Sequence, residues 1–322
     1  MDNRFLVTPP PHVFGNTTTR KIMLDVIIAL TPAAIAGAWF FGARVVLVYV
    51  CTIAACVASE KLARMVMKRE DTIDDLSAVV TGLLLAMNLP PAIELWKAIV
   101  GGAAAIVIVK QLFGGIGNNF MNPALAARVI LLTSWGESMM AFHEPMTDAV
   151  SSATPMALAK TFFQAGAFPA GAPSYLDLFL GNVAGCIGET SALALLIGGV
   201  YLLARKVISW EIPAAFIGSA AIMAWVLGGH KGLMNGDPLY HVLGGGLILG
   251  ALFMATDYST SPITRKGKLI MGLGCGVLTV VIRLYTGYTE GVSFAIIIMN
   301  VATPLIDRYT VPKVFGGEKV NG

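Results

Sequence analysis

Residues 45–69 read VVLVYVCTIAACVASEKLARMVMKR, an apolar run that ends in a cluster of basic residues. A helix of about 20 apolar residues is long enough to cross a hydrocarbon layer roughly 30 Å thick. Basic residues accumulate at the cytoplasmic ends of such helices. The stretch therefore predicts a transmembrane helix whose C-terminal end faces the cytoplasm.

The whole chain has the composition of a membrane protein. Its 322 residues are 56% hydrophobic and only 13% charged, with a mean hydropathy of +0.74. Ten crossings would use about 200 residues, which leaves little for a separate soluble domain. The net charge is +3, and the basic residues lie at the ends of apolar runs. We therefore expect membrane lipid around the chain and no nucleic acid. The polar first twenty residues also predict no cleavable signal peptide.

Ten apolar runs predict an all-α, polytopic membrane protein with about ten transmembrane helices. The runs cover residues 22–41, 45–65, 76–89, 98–113, 123–135, 182–204, 212–227, 242–255, 269–285 and 292–306. If the N-terminus is cytoplasmic, the basic clusters at 61–69, 205–206, 265–268 and 308–319 all fall inside. The segment 136–181, which carries four acidic residues and one lysine, then falls outside. We expect both termini in the cytoplasm and one long extracytoplasmic loop.

The two halves of the chain share short motifs. The sequence MNPAL at 121–125 resembles MNVATPL at 299–305, and Asp25 in the first run has a counterpart in Glu189. Because five is an odd number of crossings, a duplicated unit would insert upside down relative to its twin. We predict two inverted repeats of five helices, at 1–135 and 182–322, joined by the loop 136–181. Chance similarity is the alternative.

The loop 136–181 contains the sequence DAVSSATP at 148–155, a run of small and polar residues stopped by proline. Such a cluster is usually a plain loop or a helix N-cap. A threonine hydroxyl can also be esterified by a phosphate, and small neighbours leave room for a modifying enzyme. Thr154 is therefore a candidate for a covalently attached cofactor.

The same stretch matches the Asp-x-x-Ser/Thr-Gly/Ser-Ala-Thr motif on which flavin transferases attach FMN through a phosphodiester. The matching positions are Asp148, Ser151, Ser152, Ala153 and Thr154. The main departure is the serine at 152, where glycine is common. Over essentially its whole length the chain resembles the RnfD subunits of Rnf ion-translocating oxidoreductases, with the NqrB subunits of sodium-pumping quinone reductases as close relatives. The early start of the first run favours RnfD; an NqrB-like subunit is the alternative.

The resemblance implies a flavoprotein of the bacterial inner membrane with FMN on Thr154, in effect a phosphoprotein. A second, non-covalent riboflavin is typical of these subunits. The implied activity belongs to a translocase that couples electron transfer between ferredoxin and NAD to Na⁺ or H⁺ movement, and this subunit would not be catalytic alone. The implied partners are other Rnf-type membrane subunits, including an FMN-carrying extracytoplasmic subunit and iron–sulfur subunits, and a flavin transferase for maturation.

Ionisable and amide side chains inside the apolar runs are the remaining candidates, because charges at membrane depth are costly and often functional. The candidates for a flavin or ion pathway are Asp25, Asn119, Asn122, Arg128 and Glu189. An internal ion pair of Asp25 or Glu189 with Arg128, holding the repeats together, is an equally good interpretation. The glycine- and asparagine-rich run at 114–123 predicts a re-entrant loop beside a cavity or a plain linker.

The four cysteines lie in or beside apolar runs without a Cys-x-x-Cys pair. Buried thiols and no metal site are expected, with a cluster shared with another subunit as the alternative. Inverted repeats would suit a channel or secondary transporter equally well, and a scaffold without a cofactor is a third hypothesis. Only the threonine motif separates these hypotheses from a redox subunit.

Overall fold

The computed structural model describes residues 18–145, 152–166, 171–230 and 232–311. Within these ranges all regular structure is helical, which confirms the all-α prediction. Four of the described helices are long and apolar enough to cross a membrane. The chain is therefore a polytopic membrane protein.

The described helices take the following bounds in chain order. They are α1 Thr19–Phe41, α2 Ala43–Val66, α3 Ser77–Met87, α4 Leu95–Ala104, α5 Pro123–Ser134, α6 Gly136–Met139, α7 Pro155–Ala165, α8 Tyr175–Leu180, α9 Ala192–Ala204, α10 Glu211–Leu227, α11 Pro238–Leu243, α12 Leu247–Leu249, α13 Arg265–Tyr285 and α14 Val292–Thr310. Helix α4 continues as a π-helical segment at Ala105–Gln111, and α12 continues as one at Gly250–Met254. Each of the ten predicted runs contains a helix, with α6, α7, α8 and α11 in the connections.

Two of the ten helical segments are too short to cross a bilayer. Helix α3 has 11 residues, and α12 with its π-helical continuation has 3 + 5 = 8. At 1.5 Å per residue these lengths reach about half of a 30 Å hydrocarbon layer or less. Broken helices of this kind are tolerated at membrane depth only where protein surrounds them, and both are almost entirely buried. The ten segments thus include two half-crossings.

The helices pack in matching pairs. Helix α2 packs against α4 as α10 packs against α13, while α1 contacts α9 and α5 contacts α14. The C-terminal ends of the two short segments meet, with 3.7 Å between Asn88 Nδ2 and Met254 Sδ. Two equivalent halves would produce this pairing, so inverted repeats remain our interpretation. The division at residues 135 and 181 stays a prediction.

The contact between α1 and α9 depends on a glycine. A Cβ atom at Gly198 of α9 would lie 1.9 Å from the carbonyl oxygen of Ala29 in α1. Small residues allow such close backbone approach between membrane helices. The first helices of the two halves can therefore pack directly only while residue 198 lacks a side chain.

We expect Gly198→Ala to lower the stability of the purified chain by about 1–3 kcal/mol, because the added methyl group forces α1 and α9 apart. Gly218→Ala in α10 is the matched control, since a Cβ there meets nothing within 4 Å. Thermal unfolding in detergent can be followed with a thiol-reactive dye that reports exposure of the buried Cys56, Cys186 and Cys275. Equal unfolding temperatures for the two variants would contradict this packing.

Candidate functional site

Thr154 is the N-cap residue of α7. Its backbone is extended, Pro155 occupies the first helical turn, and the Thr154 hydroxyl accepts a hydrogen bond of 3.2 Å from the Ala157 N–H. Threonine followed by proline is a strong helix-start signal, which explains why the helix begins here. The residue is 4% exposed. Its hydroxyl therefore lies at the positive end of a helix.

The rest of the motif is described in part. The Ser152 N–H donates to the Phe142 carbonyl at 2.8 Å, and the Ser152 hydroxyl is buried without a hydrogen-bond partner among the described residues. Ala153 is exposed. Asp148 and Ser151 lie outside the described residues. The structure thus brings Ser152 and Thr154 to the start of one helix and leaves two motif positions open.

Helix α7 is held against the second half of the chain at three points. The Met156 side chain packs where a Cβ at Gly244 would fall, 2.4 Å from Met156 Cε. The Lys160 ammonium donates to the Thr286 carbonyl. At the other end of the helix, His230 Nδ1 lies 3.0 Å from the Phe163 carbonyl oxygen. These contacts fix the position of the helix that begins at Thr154.

The segment under α7 is a run of three glycines, 244–246, which we call the glycine strap. The guanidinium of Arg283 donates to the carbonyls of His241 at 2.7 Å and Gly244 at 3.3 Å. At Gly245 the φ angle is +70°, and a Cβ would lie 2.4 Å from Glu290 Oε1. Only glycine fits this position, because both the backbone conformation and the contact exclude a side chain.

A second polar cluster joins the two halves at the ends of the broken helices. The Asn122 side chain caps α5, and the Asn122 N–H donates to Asn300 Oδ1 at 3.2 Å. The Asn122 amide also donates to the Met254 carbonyl at 3.2 Å. Asn122 and Asn300 occupy the same position in the two repeated motifs. The motif therefore marks where the halves meet.

The candidate charges do not form the ion pair considered from the sequence. The Arg128 guanidinium donates to Asn88 Oδ1 at 2.8 Å and to the Cys186 thiol at 3.4 Å. Glu189 accepts a bond of 2.9 Å from the Cys186 N–H and forms no ion pair among the described residues. Asp25 faces α9 instead. The proposed pairing with Arg128 was wrong, because the guanidinium is already engaged by neutral groups.

The contacts of Asp25 are of ordinary surface type. The hydroxyl of Tyr201 lies 2.9 Å from Asp25 Oδ1, and the Arg205 guanidinium lies 3.4 Å from the carboxylate. Since the Arg205 side chain is 48% exposed, solvent screens this pair. Asp25 therefore has a structural partner and does not reach the other candidate residues.

A cavity separates the two halves on the side of the molecule opposite the loop 136–181. It holds about 800 Å³ of space, part of it open to the outside. Its polar lining residues are Ser77, Thr81, Lys110, Asn119, Asn122 and Asp257. Asn119 Oδ1 is buried without a hydrogen-bond partner among the described residues. The cavity thus unites Asn119 with Asn122, whereas Asp25, Arg128 and Glu189 lie outside its lining.

One buried ion pair escaped the sequence analysis. Glu60 and Lys110 lie 2.7 Å apart, with side chains 0% and 2% exposed. The Lys110 ammonium also donates to the Ser77 hydroxyl at 2.6 Å, at the first residue of α3. Both charges lie late in their apolar runs, where they resembled topology signals. Their opposite signs at matching ends of two helices were the available clue.

Known proteins place the chain among membrane redox subunits. Residues 6–316 match the NQR2, RnfD, RnfE family. The chain belongs to this family. One relative, the D subunit of the Na(+)-translocating ferredoxin:NAD(+) oxidoreductase complex of Acetobacterium woodii, is 49% identical over 98% of this chain and 96% of its own length.

Two further relatives have similar coverage. The D subunit of the proton-translocating ferredoxin:NAD(+) oxidoreductase complex of Clostridium ljungdahlii is 43% identical over 98% of this chain and 97% of its own length. The D subunit of the ion-translocating oxidoreductase complex of Stutzerimonas stutzeri is 37% identical over 92% of both chains. The family resemblance inferred from the sequence is confirmed.

The two kinds of charge contact differ in their expected contribution to stability. Glu60→Gln should destabilise the chain by about 3–5 kcal/mol, because it leaves the Lys110 ammonium buried and uncompensated. Asp25→Asn should cost about 1 kcal/mol or less, because its arginine partner is half exposed. Thermal unfolding in detergent compares the variants directly. An Asp25→Asn loss as large as that of Glu60→Gln would show that the Asp25 contact has been misjudged.

Proposed function

We propose that the chain is the D-type membrane subunit of an ion-translocating ferredoxin:NAD oxidoreductase and that it carries FMN on the Thr154 hydroxyl. The observation that carries the attachment site is the position of Thr154, the last residue of the motif and the N-cap of α7. The names of the Acetobacterium and Clostridium relatives support the activity of the complex. Because one name specifies Na⁺ and the other protons, the proposal leaves the ion open.

The residues around Thr154 fit a phosphodiester. The N-terminal turn of α7 offers backbone N–H groups and a partial positive charge, and both favour a bound phosphate. The orphaned hydroxyl of Ser152 is a further donor. When bound, the flavin would supply electron transfer, and the chain's own residues would set its position and electrostatic surroundings. A covalent link also keeps the cofactor at a fixed effective concentration.

The burial of Thr154 constrains the order of maturation. At 4% exposure its hydroxyl is out of reach of a transferase while α7 is packed on the glycine strap. We infer that the flavin transferase acts before α7 docks, or on a state in which the loop 136–181 has moved away. Docking through Met156, Lys160 and Phe163 would then place the attached flavin.

The proposed orientation follows from charge. The segments opposite the loop 136–181 carry the basic clusters, so we place them and both termini in the cytoplasm and the loop outside a bacterial inner membrane. Electrons would then reach the flavin from an FMN-carrying extracytoplasmic subunit, with iron–sulfur subunits as further partners. In this arrangement the membrane helices connect an outer redox site with the cavity on the other face.

We propose the cavity as the place of a second, non-covalent riboflavin. Its space of about 800 Å³ is in the range of small-molecule pockets, which are mostly apolar with a few placed polar groups. Ser77 and Thr81 supply hydroxyls, and the unpaired Asn119 oxygen can accept a hydrogen bond from a ligand N–H or O–H. The cavity lies between the halves, where a ligand would contact both.

The covalent site can be tested on a denaturing gel. After coexpression with a flavin transferase, the wild-type band should fluoresce under ultraviolet light and Thr154→Val should be dark, because valine has no hydroxyl to esterify. Thr161→Val is the control: this exposed threonine lies on the same helix, and its hydroxyl only donates to Ala157. Fluorescence that survives Thr154→Val would exclude the assigned site. A dark wild type would favour a transporter or scaffold.

The cavity proposal predicts a loss of acid-extractable flavin. Thr81→Leu should reduce non-covalent riboflavin from about one per chain to near zero, because the larger side chain enters the ligand space. Covalent fluorescence should remain. Thr133→Leu, at an exposed threonine of α5, is the control. Chromatography of the acid extract measures the flavin, and an unchanged content in Thr81→Leu would place it elsewhere.

A further inference from the structure

Two carboxylates approach the glycine strap from different sides. The Gly246 N–H donates to Glu290 Oε2 at 3.4 Å. A Cβ at Gly246 would lie 2.9 Å from Glu189 Oε2. Glu189 precedes α9 and is 5% exposed, whereas Glu290 precedes α14 and is 8% exposed. The strap thus brings together two buried acids that are far apart in the sequence.

Each acid has one oxygen without a hydrogen-bond partner among the described residues, Oε2 of Glu189 and Oε1 of Glu290. A buried carboxylate needs several donors to hold its charge, and an unmade bond there is costly. Here Glu189 has the Cys186 N–H, and Glu290 has only the long contact to Gly246. Both charges are therefore poorly compensated by hydrogen bonds.

The neighbouring cations do not remedy this. The Arg283 guanidinium lies 3.9 Å from Glu290, too far for a hydrogen bond, and donates instead to carbonyls on either side of α11's end. Arg128 is engaged by Asn88 and the Cys186 thiol. Burial and Arg283 lower the pKa of His241 to about 4, so this imidazole is neutral. Among the described residues, no facing group thus pairs closely with both acids.

We propose that Glu189 and Glu290 form a proton-binding site, in which the pair takes up one proton from water and holds it at the glycine strap. A proton fits better than a metal ion, because a hard cation needs about six oxygen ligands and two arginines lie nearby. Protonation removes one buried charge and relieves the repulsion between the two acids.

Electrostatics places the exchange near neutral pH. Burial and the charge of Glu189 raise the pKa of Glu290 to about 7, against the attraction of Arg283 and Arg128. A carboxyl with a raised pKa is protonated below that value and ionised above it. The two acids interact, so the titration belongs to the pair. The site therefore changes occupancy within the physiological range.

The site also lies beside the helix that begins at Thr154. A Cβ at Gly245 would touch both Glu290 Oε1, at 2.4 Å, and Met156 Cγ, at 3.0 Å. This part of the inference rests on the proposed function: one electron supplied by a redox partner to a flavin at Thr154 would attract one proton to the pair. An electron about 10 Å away raises a carboxyl pKa by about one unit at an effective dielectric constant of about 20. The proton would compensate the added charge.

Infrared spectroscopy of the full chain in lipid nanodiscs tests the site through the C=O stretch of a protonated carboxylic acid. We expect a band that disappears between about pH 6 and pH 8 and is missing in Glu290→Gln. Glu189→Gln should keep the band and lower its midpoint by about one unit, because a neighbouring negative charge is gone. Glu211→Gln, at a buried acid beside Arg265, is the control and should leave the band unchanged.

Three further arms assign the result. The band must persist in Thr154→Val, which separates this proposal from flavin attachment. Its midpoint should rise by about one unit on chemical reduction of the flavin-loaded wild type and not of Thr154→Val; an unchanged midpoint in the wild type would contradict the link to Thr154. A midpoint that falls when NaCl replaces choline chloride would indicate a bound sodium ion and overturn the proton assignment. A band that survives Glu290→Gln, in a variant that purifies like the wild type, would overturn the site.

Discussion

The hydrogen bond from the Asn122 backbone to the Asn300 side chain joins the two halves of the molecule at the depth where two helices stop. In hydrocarbon every backbone polar group must find its partner within the protein, so a helix can end there only if side chains receive its unpaired groups. Asn88, at the end of α3, lies against Met254, at the end of the segment that continues α12. The remaining helices enclose this junction. A cavity on one side and a docked loop helix on the other are both consequences of two broken helices meeting in the middle.

The sequence was sufficient for the helical class, the ten apolar segments and the family, because hydropathy and a membrane's thickness leave few choices. It also pointed to Thr154 as a helix cap, since threonine before proline has a local meaning. It could not show that α3 and α12 cross only half of the layer, because their flanking turns are apolar too. Nor could it pair Glu60 with Lys110. Those partners are decided by helix packing, and a charge near the end of an apolar run resembles a topology signal.

The two faces of the molecule have different chemistry. On the loop side, α7 rests on the glycine strap, and the strap in turn separates Glu189 from Glu290. On the opposite side, hydroxyl and amide groups line a cavity between the halves, and the Lys110 ammonium is held there by Glu60. The chain thus uses permissive glycines where charged groups approach the backbone closely, and asparagines where helices end inside the bundle.

The central claim is that Thr154 carries the flavin. Peptide mass spectrometry of the complex, purified from the membranes of the organism that makes it, tests this claim most directly. The account predicts that the peptide containing Thr154 carries the mass of FMN less one water and that fragmentation assigns it to this threonine. An unmodified Thr154 peptide in a preparation that contains covalent flavin elsewhere would contradict it.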